Sequence, residues 1–234
     1  MNRPPHPLEL TPVSMLQARP KRVMQQLIAG VNKFQQDELG KYRQLFHRLS
    51  RQEQNPHTLF ITCSDSRVLA ELITQSQPGD LFVVKNVGNM VPRADLPGRN
   101  STAAAIEFAV TMFGVTDVVV CGHSQCGAMT ALLNGLPESE EIPHLRDWIA
   151  TAAPVRELMD RHYQHLTDRD ARITAAAGEN VLFALENLHT YPAVATRLAA
   201  GTLRLHGWFF QIATAKLFAY DLATQQFQPI EPEP

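Results

Sequence analysis

Two short apolar runs, each followed directly by side chains that can bind a metal, constrain the fold most strongly. "TLFIT" (58–62) leads into Cys63, and "TDVVVCG" (116–122) leads into His123 and Cys126. Continuous runs rich in β-branched residues are typical of strands that are buried on both faces of a parallel sheet. Because the carboxyl ends of parallel strands meet at one edge of the sheet, we expect these side chains to come together there.

The order of the other segments predicts an α/β fold with a central, mostly parallel sheet flanked by helices. A strand is predicted over "DLFVVKN" (80–86), after the turn signal "QPGD". "STAAAIEFAVTMFG" predicts a helix that Ser101 or Thr102 caps and Gly114 ends, and "SQCGAMTALLNG" predicts another. Alternating strands and helices favour a parallel sheet with helices on both faces. "TLRLHGWFFQIATAKLFAYDL" (202–222) predicts one or two final strands at the sheet edge.

The N-terminal region differs in composition from the rest of the chain. Residues 1–20 contain five prolines and little periodicity, which predicts an irregular proline-rich arm. Residues 21–234 are predicted to form a single α/β domain. Apolar residues at helical spacing between Lys21 and Phe34, and again between Leu39 and Leu49, predict two amphipathic helices that need a surface to pack on.

Composition excludes several classes of partner. The 234-residue chain has a formal net charge of −2, whereas nucleic-acid binding depends on clustered Lys and Arg. No segment approaches the roughly 18 consecutive apolar residues of a membrane span. The N-terminus lacks the apolar stretch of a secretory signal, so we expect a cytoplasmic protein. Three cysteines argue against a disulfide scaffold, and Cys121, inside its strand, is interpreted as core.

The residues at the two strand ends suit zinc. Two thiolates, an imidazole and a carboxylate can form a tetrahedral zinc site, and Cys63 and Asp65 point the same way in an extended segment. Each residue also has an ordinary explanation: buried inert cysteines, a surface ion pair between Asp65 and Arg67, or a helix cap at His123. Those explanations do not account for two strand ends that both carry zinc ligands. We therefore predict one Zn²⁺ per subunit.

The same residues resemble the motifs of β-class carbonic anhydrases. "CSDSR" (63–67) and "GHSQCG" (122–127) carry the resemblance, which "QPGDLFVVKNVGNMVP" and "ENLHTYPAV" extend over about residues 22–222. It implies a zinc lyase that reversibly hydrates CO2 to bicarbonate and a proton through zinc-bound hydroxide. It also implies that Cys63, His123 and Cys126 bind zinc. The fourth position would go to water or to Asp65, and Arg67 would pair with Asp65 when the position is open.

The resemblance further implies a substrate site and an assembly. Gln54 would hydrogen-bond substrate from the partner subunit, Phe82 and Val87 would form an apolar pocket for CO2, and Gly127 would offer a backbone N–H near the metal. An ordinary core role for Phe82 and Val87 is equally compatible with the sequence. The family forms a homodimer or a higher even oligomer in which the N-terminal helices wrap a partner subunit.

Three other functions stay open at this point. The scaffold could serve a hydrolase for carbonyl sulfide or carbon disulfide, since a fold does not determine the substrate. A zinc-bearing scaffold or bicarbonate sensor with little catalysis would not need an Arg67 positioned beside Asp65. A redox protein would need a Cys-x-x-Cys pair, which Cys121 and Cys126 do not provide. The sequence also does not decide whether Asp65 lies on zinc or on Arg67.

Overall fold

The computed structural model describes residues 22–96 and 100–231. The chain divides into two compact units, residues 1–53 and residues 54–234. The predicted proline-rich arm, residues 1–20, lies outside the described residues. The assignment of residues 21–234 to one domain stays a prediction.

The first unit is helical over its described part. Helix α1 (Arg22–Lys33) continues through a π-helical turn (Phe34–Glu38) into α2 (Leu39–Leu49). The two predicted amphipathic helices are therefore one uninterrupted helical segment, because the i→i+5 turn keeps the chain helical between them. Several apolar residues of α1 are at least half exposed in the single chain: Val23 (66%), Leu27 (61%), Ile28 (50%) and Val31 (55%).

The second unit is built on a six-stranded sheet of order β2-β1-β3-β4-β5-β6. The strands are β1 (Thr58–Cys63), β2 (Leu81–Asn86), β3 (Asp117–His123), β4 (Arg204–Gln211), β5 (Lys216–Asp221) and β6 (Gln226–Pro229). The first four strands in this order pair in parallel, and β4, β5 and β6 pair antiparallel. The expected mostly parallel sheet is confirmed. Two strands form over residues 202–222, as predicted. Neither is the edge strand, because β6, which was not predicted, pairs with β5 and takes the edge.

Helices lie along the chain between and after these strands. They are α3 (Ala70–Thr74), α4 (Ser101–Phe108) with a π-helical turn (Ala109–Phe113), α5 (Gly127–Asn134), α6 (Pro143–Ala150), α7 (Ala153–His162), α8 (Arg169–Leu188) and α9 (Pro192–Ala199). The N-cap of α4 is Asn100, one residue before the predicted caps, and its side chain accepts from Ala103 N–H at 2.8 Å. Among the described helices, none is long and apolar enough to cross a membrane.

Helix α8 packs against the centre of the sheet at a glycine beside the site. A Cβ added at Gly122 would lie 2.7 Å from Val181 Cγ2 and 3.1 Å from the Ala177 carbonyl oxygen, both on α8. Val181 and Ala177 are themselves buried. The missing side chain at Gly122 therefore allows α8 to lie close to the end of β3, immediately before His123.

We expect Gly122→Ala to lower the free energy of unfolding by about 1–3 kcal/mol, because the new methyl overpacks the contact between β3 and α8. Gly178→Ala is the matched control. Gly178 also lies on α8, but an added Cβ there meets Phe227 only at 3.4 Å, an ordinary contact. Urea unfolding of the metal-free proteins measures both changes. Equal stability of the two variants would contradict the proposed close approach.

Candidate metal centre

The parallel pairing of β1 and β3 brings the predicted metal ligands together. Thr62 on β1 pairs with Cys121 on β3, so Cys63 and His123 end neighbouring strands at the same edge of the sheet. The turn after β3 then returns Cys126 to this edge. One ligand atom from each of Cys63, His123 and Cys126 lies within 4.8 Å of the other two, and all three residues are buried.

The hydrogen bonding of His123 leaves one ring nitrogen available for a metal. Nδ1 lies 2.8 Å from the Ser124 carbonyl oxygen, which can only accept, so Nδ1 carries the proton. Nε2 is then a bare acceptor, and it is buried with no hydrogen-bond partner among the described residues. A buried polar atom without a partner is costly, and metal-binding imidazoles usually donate their other N–H to a carbonyl or carboxylate. A cation at Nε2 would remove this cost.

The sulfur atoms of Cys63 and Cys126 interact, and each changes the pKa of the other. The Cys126 thiol and the Gly88 backbone N–H, 3.3 Å away, donate to Cys63 Sγ, and these contacts lower the pKa of Cys63 against the opposing effect of burial. The same contact with Cys63, followed by burial, raises the pKa of Cys126. Because metals bind thiolates, a metal ion held by both sulfurs would displace a proton shared between them. Two sulfurs and an imidazole are a donor set that suits zinc, so the residues present fit this ion.

Asp65 is directed at Arg67. Arg67 Nε donates to Asp65 Oδ1 at 2.9 Å and Nη2 donates to Oδ2 at 2.8 Å, a two-pronged ion pair. Chiefly for this reason, the pKa of Asp65 lies well below its usual range. Asp65 Oδ2 also lies 4.0 Å from His123 Nε2, so the carboxylate borders the ligand group. The structure thus has the arrangement in which Asp65 pairs with Arg67, and a role for Asp65 as fourth metal ligand stays a prediction.

Two residues that support this pair were not predicted from the sequence. Arg67 Nη1 donates to Gln125 Oε1 at 3.3 Å, and Gln125 adopts a left-handed backbone conformation with φ of 57°. Lys85 Nζ donates to the backbone oxygens of Val68 at 2.7 Å and Asp65 at 3.3 Å. Lys85 is the one charged residue of β2, and that isolated charge in an apolar strand is a signal that could have identified it. The sequence contains no comparable signal for Gln125.

Two of the predicted substrate residues lie near the ligand group along the chain. Val87 directly follows β2, and its side chain is 42% exposed. Gly127 directly follows Cys126 and is the first residue of α5, where backbone N–H groups have no partner within the helix. No described atom lies within 4 Å of a Cβ added at Gly127, so the space beside it is open.

The other two predicted substrate residues are not brought to this group within one subunit. Phe82 pairs with Leu59, four residues before the level of Cys63, which corresponds to about 13 Å along a strand. Its ring packs on Phe113 with centroids 5.4 Å apart. Gln54 precedes the first residue of β1, whereas Cys63 is the last residue of that strand. Their roles in substrate binding stay predictions.

Cys121 is a core residue, as its position in β3 predicted. It is fully buried, and burial raises the pKa of its thiol to about 12. Cys121 lies only two residues from His123, but its side chain packs in a separate part of the core with Phe60 and Phe210 and is not part of the ligand group.

Comparisons with known proteins agree with the chemistry of this centre. The sequence model of a family described as carbonic anhydrase matches residues 58–217. A carbonic anhydrase from Synechocystis sp. is 43% identical over 204 residues, which cover 87% of this chain and 73% of that protein. The structure of the β-carbonic anhydrase CcaA superimposes with a TM-score of 0.84 at 42% identity and covers 88% of this chain and 99% of its own. A tetrameric β-carbonic anhydrase from Sordaria macrospora superimposes with a TM-score of 0.76 at 29% identity, with coverages of 85% and 97%.

We expect Cys126→Ser to abolish stoichiometric zinc binding, because it removes one of three ligands from a site that has no spare sulfur. Cys121→Ser is the matched control, since it changes a buried cysteine of the same region that lies outside the ligand group. Zinc content per chain, measured by elemental analysis after gel filtration, should fall towards zero in the first variant and stay near one in the second. Loss of zinc from the Cys121 variant with retention in the Cys126 variant would show that the ligand set is wrong.

Proposed function

Because the chain belongs to the β-class carbonic anhydrases, zinc enzymes that reversibly hydrate CO2 to bicarbonate and a proton, we propose that Cys63, His123 and Cys126 hold the zinc. One observation carries this proposal. The buried Nε2 of His123, which has no hydrogen-bond partner among the described residues, lies beside two sulfur atoms in a group that spans at most 4.8 Å. Such a group accommodates one ion per subunit.

Asp65 and Arg67 act beside the metal in this proposal. Bound zinc lowers the pKa of a water molecule towards about 7 and so supplies hydroxide near neutral pH. Arg67 keeps the Asp65 carboxylate ionised, and Oδ2, 4.0 Å from His123 Nε2, faces the ligand group. An ionised carboxylate can only accept hydrogen bonds, so Asp65 orients the reacting water by accepting from it. The proton released in the reaction passes to buffer.

The substrate groups follow from the positions of the predicted residues. Val87 supplies an apolar contact for CO2, a molecule that offers few polar groups for binding. The N–H of Gly127, at the start of α5, donates to an oxygen of bicarbonate. Gln54 precedes β1, and Phe82 lies near the start of β2, so both are distant along the chain from this edge of the sheet, and we assign them to the site of a second subunit.

Assembly into a homodimer or a higher even oligomer is the third part of the proposal. The exposed apolar side chains of α1 support it, because a helix of this kind needs a covering surface and a partner subunit supplies one. The relative from Sordaria macrospora is tetrameric. Sedimentation equilibrium of the full chain tests this, and a monomer with full activity would contradict it.

We also propose a cytoplasmic location, which cell fractionation tests.

We expect Arg67→Ala to reduce kcat/KM for CO2 hydration by about 10- to 100-fold, the usual effect of removing a group that orients a metal-site residue. Arg93→Ala is the matched control. Arg93 pairs with Asp95 in the same two-pronged geometry, also two residues apart, with N–O distances of 3.0 Å, but on an exposed loop.

Stopped-flow measurement of CO2 hydration on proteins of equal zinc content compares the two variants. The Arg93 variant should retain the activity of the unmodified protein. If both arginine variants were fully active, Arg67 would have no part in catalysis. If the unmodified protein with full zinc were inactive, the activity assigned to the whole site would be wrong.

A further inference from the structure

The loop that follows β2, residues 87–92, has an unusual number of backbone carbonyls held by side chains. Five of its six carbonyl oxygens accept such a bond: Val87 from Trp148 Nε1 (2.7 Å), Gly88 from Asn180 Nδ2 (2.9 Å), Met90 from Asn86 Nδ2 (2.9 Å), Val91 from Asn187 Nδ2 (2.7 Å) and Pro92 from Tyr191 Oη (2.8 Å). A loop restrained at so many points has little freedom to reorient its peptide groups.

One peptide group of this loop connects Trp148 to the metal centre. The peptide between Val87 and Gly88 accepts from the Trp148 indole at its carbonyl and donates from its N–H to Cys63 Sγ at 3.3 Å. Because a peptide group is planar and trans, its carbonyl and its N–H point in opposite directions. A donor on the carbonyl side therefore determines where the N–H points, and it also polarises the group and strengthens the N–H as a donor.

The surroundings leave this peptide few alternatives. Gly88 adopts a left-handed conformation with φ of 84°, and a Cβ added there would lie 2.8 Å from Ala128 Cβ and 3.0 Å from Met90 Cε. The next peptide is held by Asn180, which is 1% exposed. Of the contacts around the Val87–Gly88 peptide, the bond from Trp148 on α6 is the one that acts on its carbonyl.

We propose that Trp148 is a positioning residue of the metal centre, which holds the Gly88 N–H on the sulfur of Cys63 through the Val87–Gly88 peptide. The inference rests on the proposed role of Cys63 as a zinc ligand. An N–H donated to a thiolate withdraws charge from the sulfur and fixes its orientation, and such contacts tune metal affinity and the electronic properties of the metal. Without the indole donor, the carbonyl side of this peptide loses its restraint, and the Gly88 N–H is held less firmly on Cys63.

Two variants separate this role from simple support of the loop. Trp148→Phe keeps an aromatic ring but removes the donor to Val87. Tyr191→Phe is the matched control, since it also keeps a ring and removes one donor to a carbonyl of the same loop, but at Pro92, four residues beyond Gly88. Both variants lose one loop hydrogen bond, and only the first acts on the peptide that contacts Cys63.

The full-length proteins are compared by zinc affinity, from competition with a chromophoric chelator, and by the sulfur-to-cobalt charge-transfer absorption of the Co²⁺-loaded form. We expect Trp148→Phe to weaken zinc binding about tenfold, because Cys63 is held less firmly in its binding orientation. We also expect the charge-transfer band to shift, because a sulfur with a weaker N–H donor is more electron-rich. Tyr191→Phe should match the unmodified protein in both measurements, whatever its thermal stability.

The possible outcomes distinguish the inference from the function on which it rests. If the unmodified protein shows no sulfur-to-cobalt band, the assignment of Cys63 and Cys126 as ligands fails. If the band is present and the two variants give the same zinc affinity and the same band, the proposal for Trp148 is overturned. If Trp148→Phe does not fold, replacement of Trp148 by 3-benzothienylalanine, in which sulfur takes the place of the indole N–H, is judged by the same criteria.

Discussion

The parallel pairing of β1 and β3 is the constraint on which the rest of the site depends. Their register ends both strands at one edge of the sheet, and it is this register that places Cys63 beside His123. A slip of one residue in either strand would turn these side chains to the other face of the sheet. Helix α8 contacts the same end of β3 at Gly122. The contacts that pack this part of the core therefore also help to position the ligands.

Hydrogen bonding at this edge of the sheet then determines what the site can hold. Most of its polar and ionisable groups find partners within the protein: Asp65 with Arg67, Arg67 with Gln125, and the loop carbonyls with side chains of α6, α8 and neighbouring segments. The buried Nε2 of His123 has no partner among the described residues, and it lies beside the sulfur atoms of Cys63 and Cys126. One zinc ion would bind all three atoms. The affiliation with carbonic anhydrases and the physical need for a cation therefore agree from independent starting points.

Much of this arrangement could be predicted from the sequence, because the signals were local. Apolar runs identified β1, β2 and β3, and residues directly after two of them identified the ligand group and the pair of Asp65 and Arg67.

Details that depend on tertiary contacts could not be predicted from the sequence. Asn100 caps α4 instead of the predicted Ser101 or Thr102, since all three side chains can cap a helix and only the path of the incoming chain separates them. Gln125 accepts from the Arg67 side chain, and Lys85 and Trp148 donate to backbone carbonyls, all groups that are brought near only by the fold. The short β6 depends on its pairing with β5.

The most direct measurement of the central claim is X-ray absorption at the zinc K-edge of the full-length protein at neutral pH. The account predicts two sulfur atoms at about 2.3 Å and one imidazole nitrogen at about 2.0–2.1 Å, with the fourth position filled by an oxygen. A first shell with nitrogen and oxygen only, or one with a single sulfur, would contradict the ligand group of Cys63, His123 and Cys126 and with it the mechanism proposed for this protein.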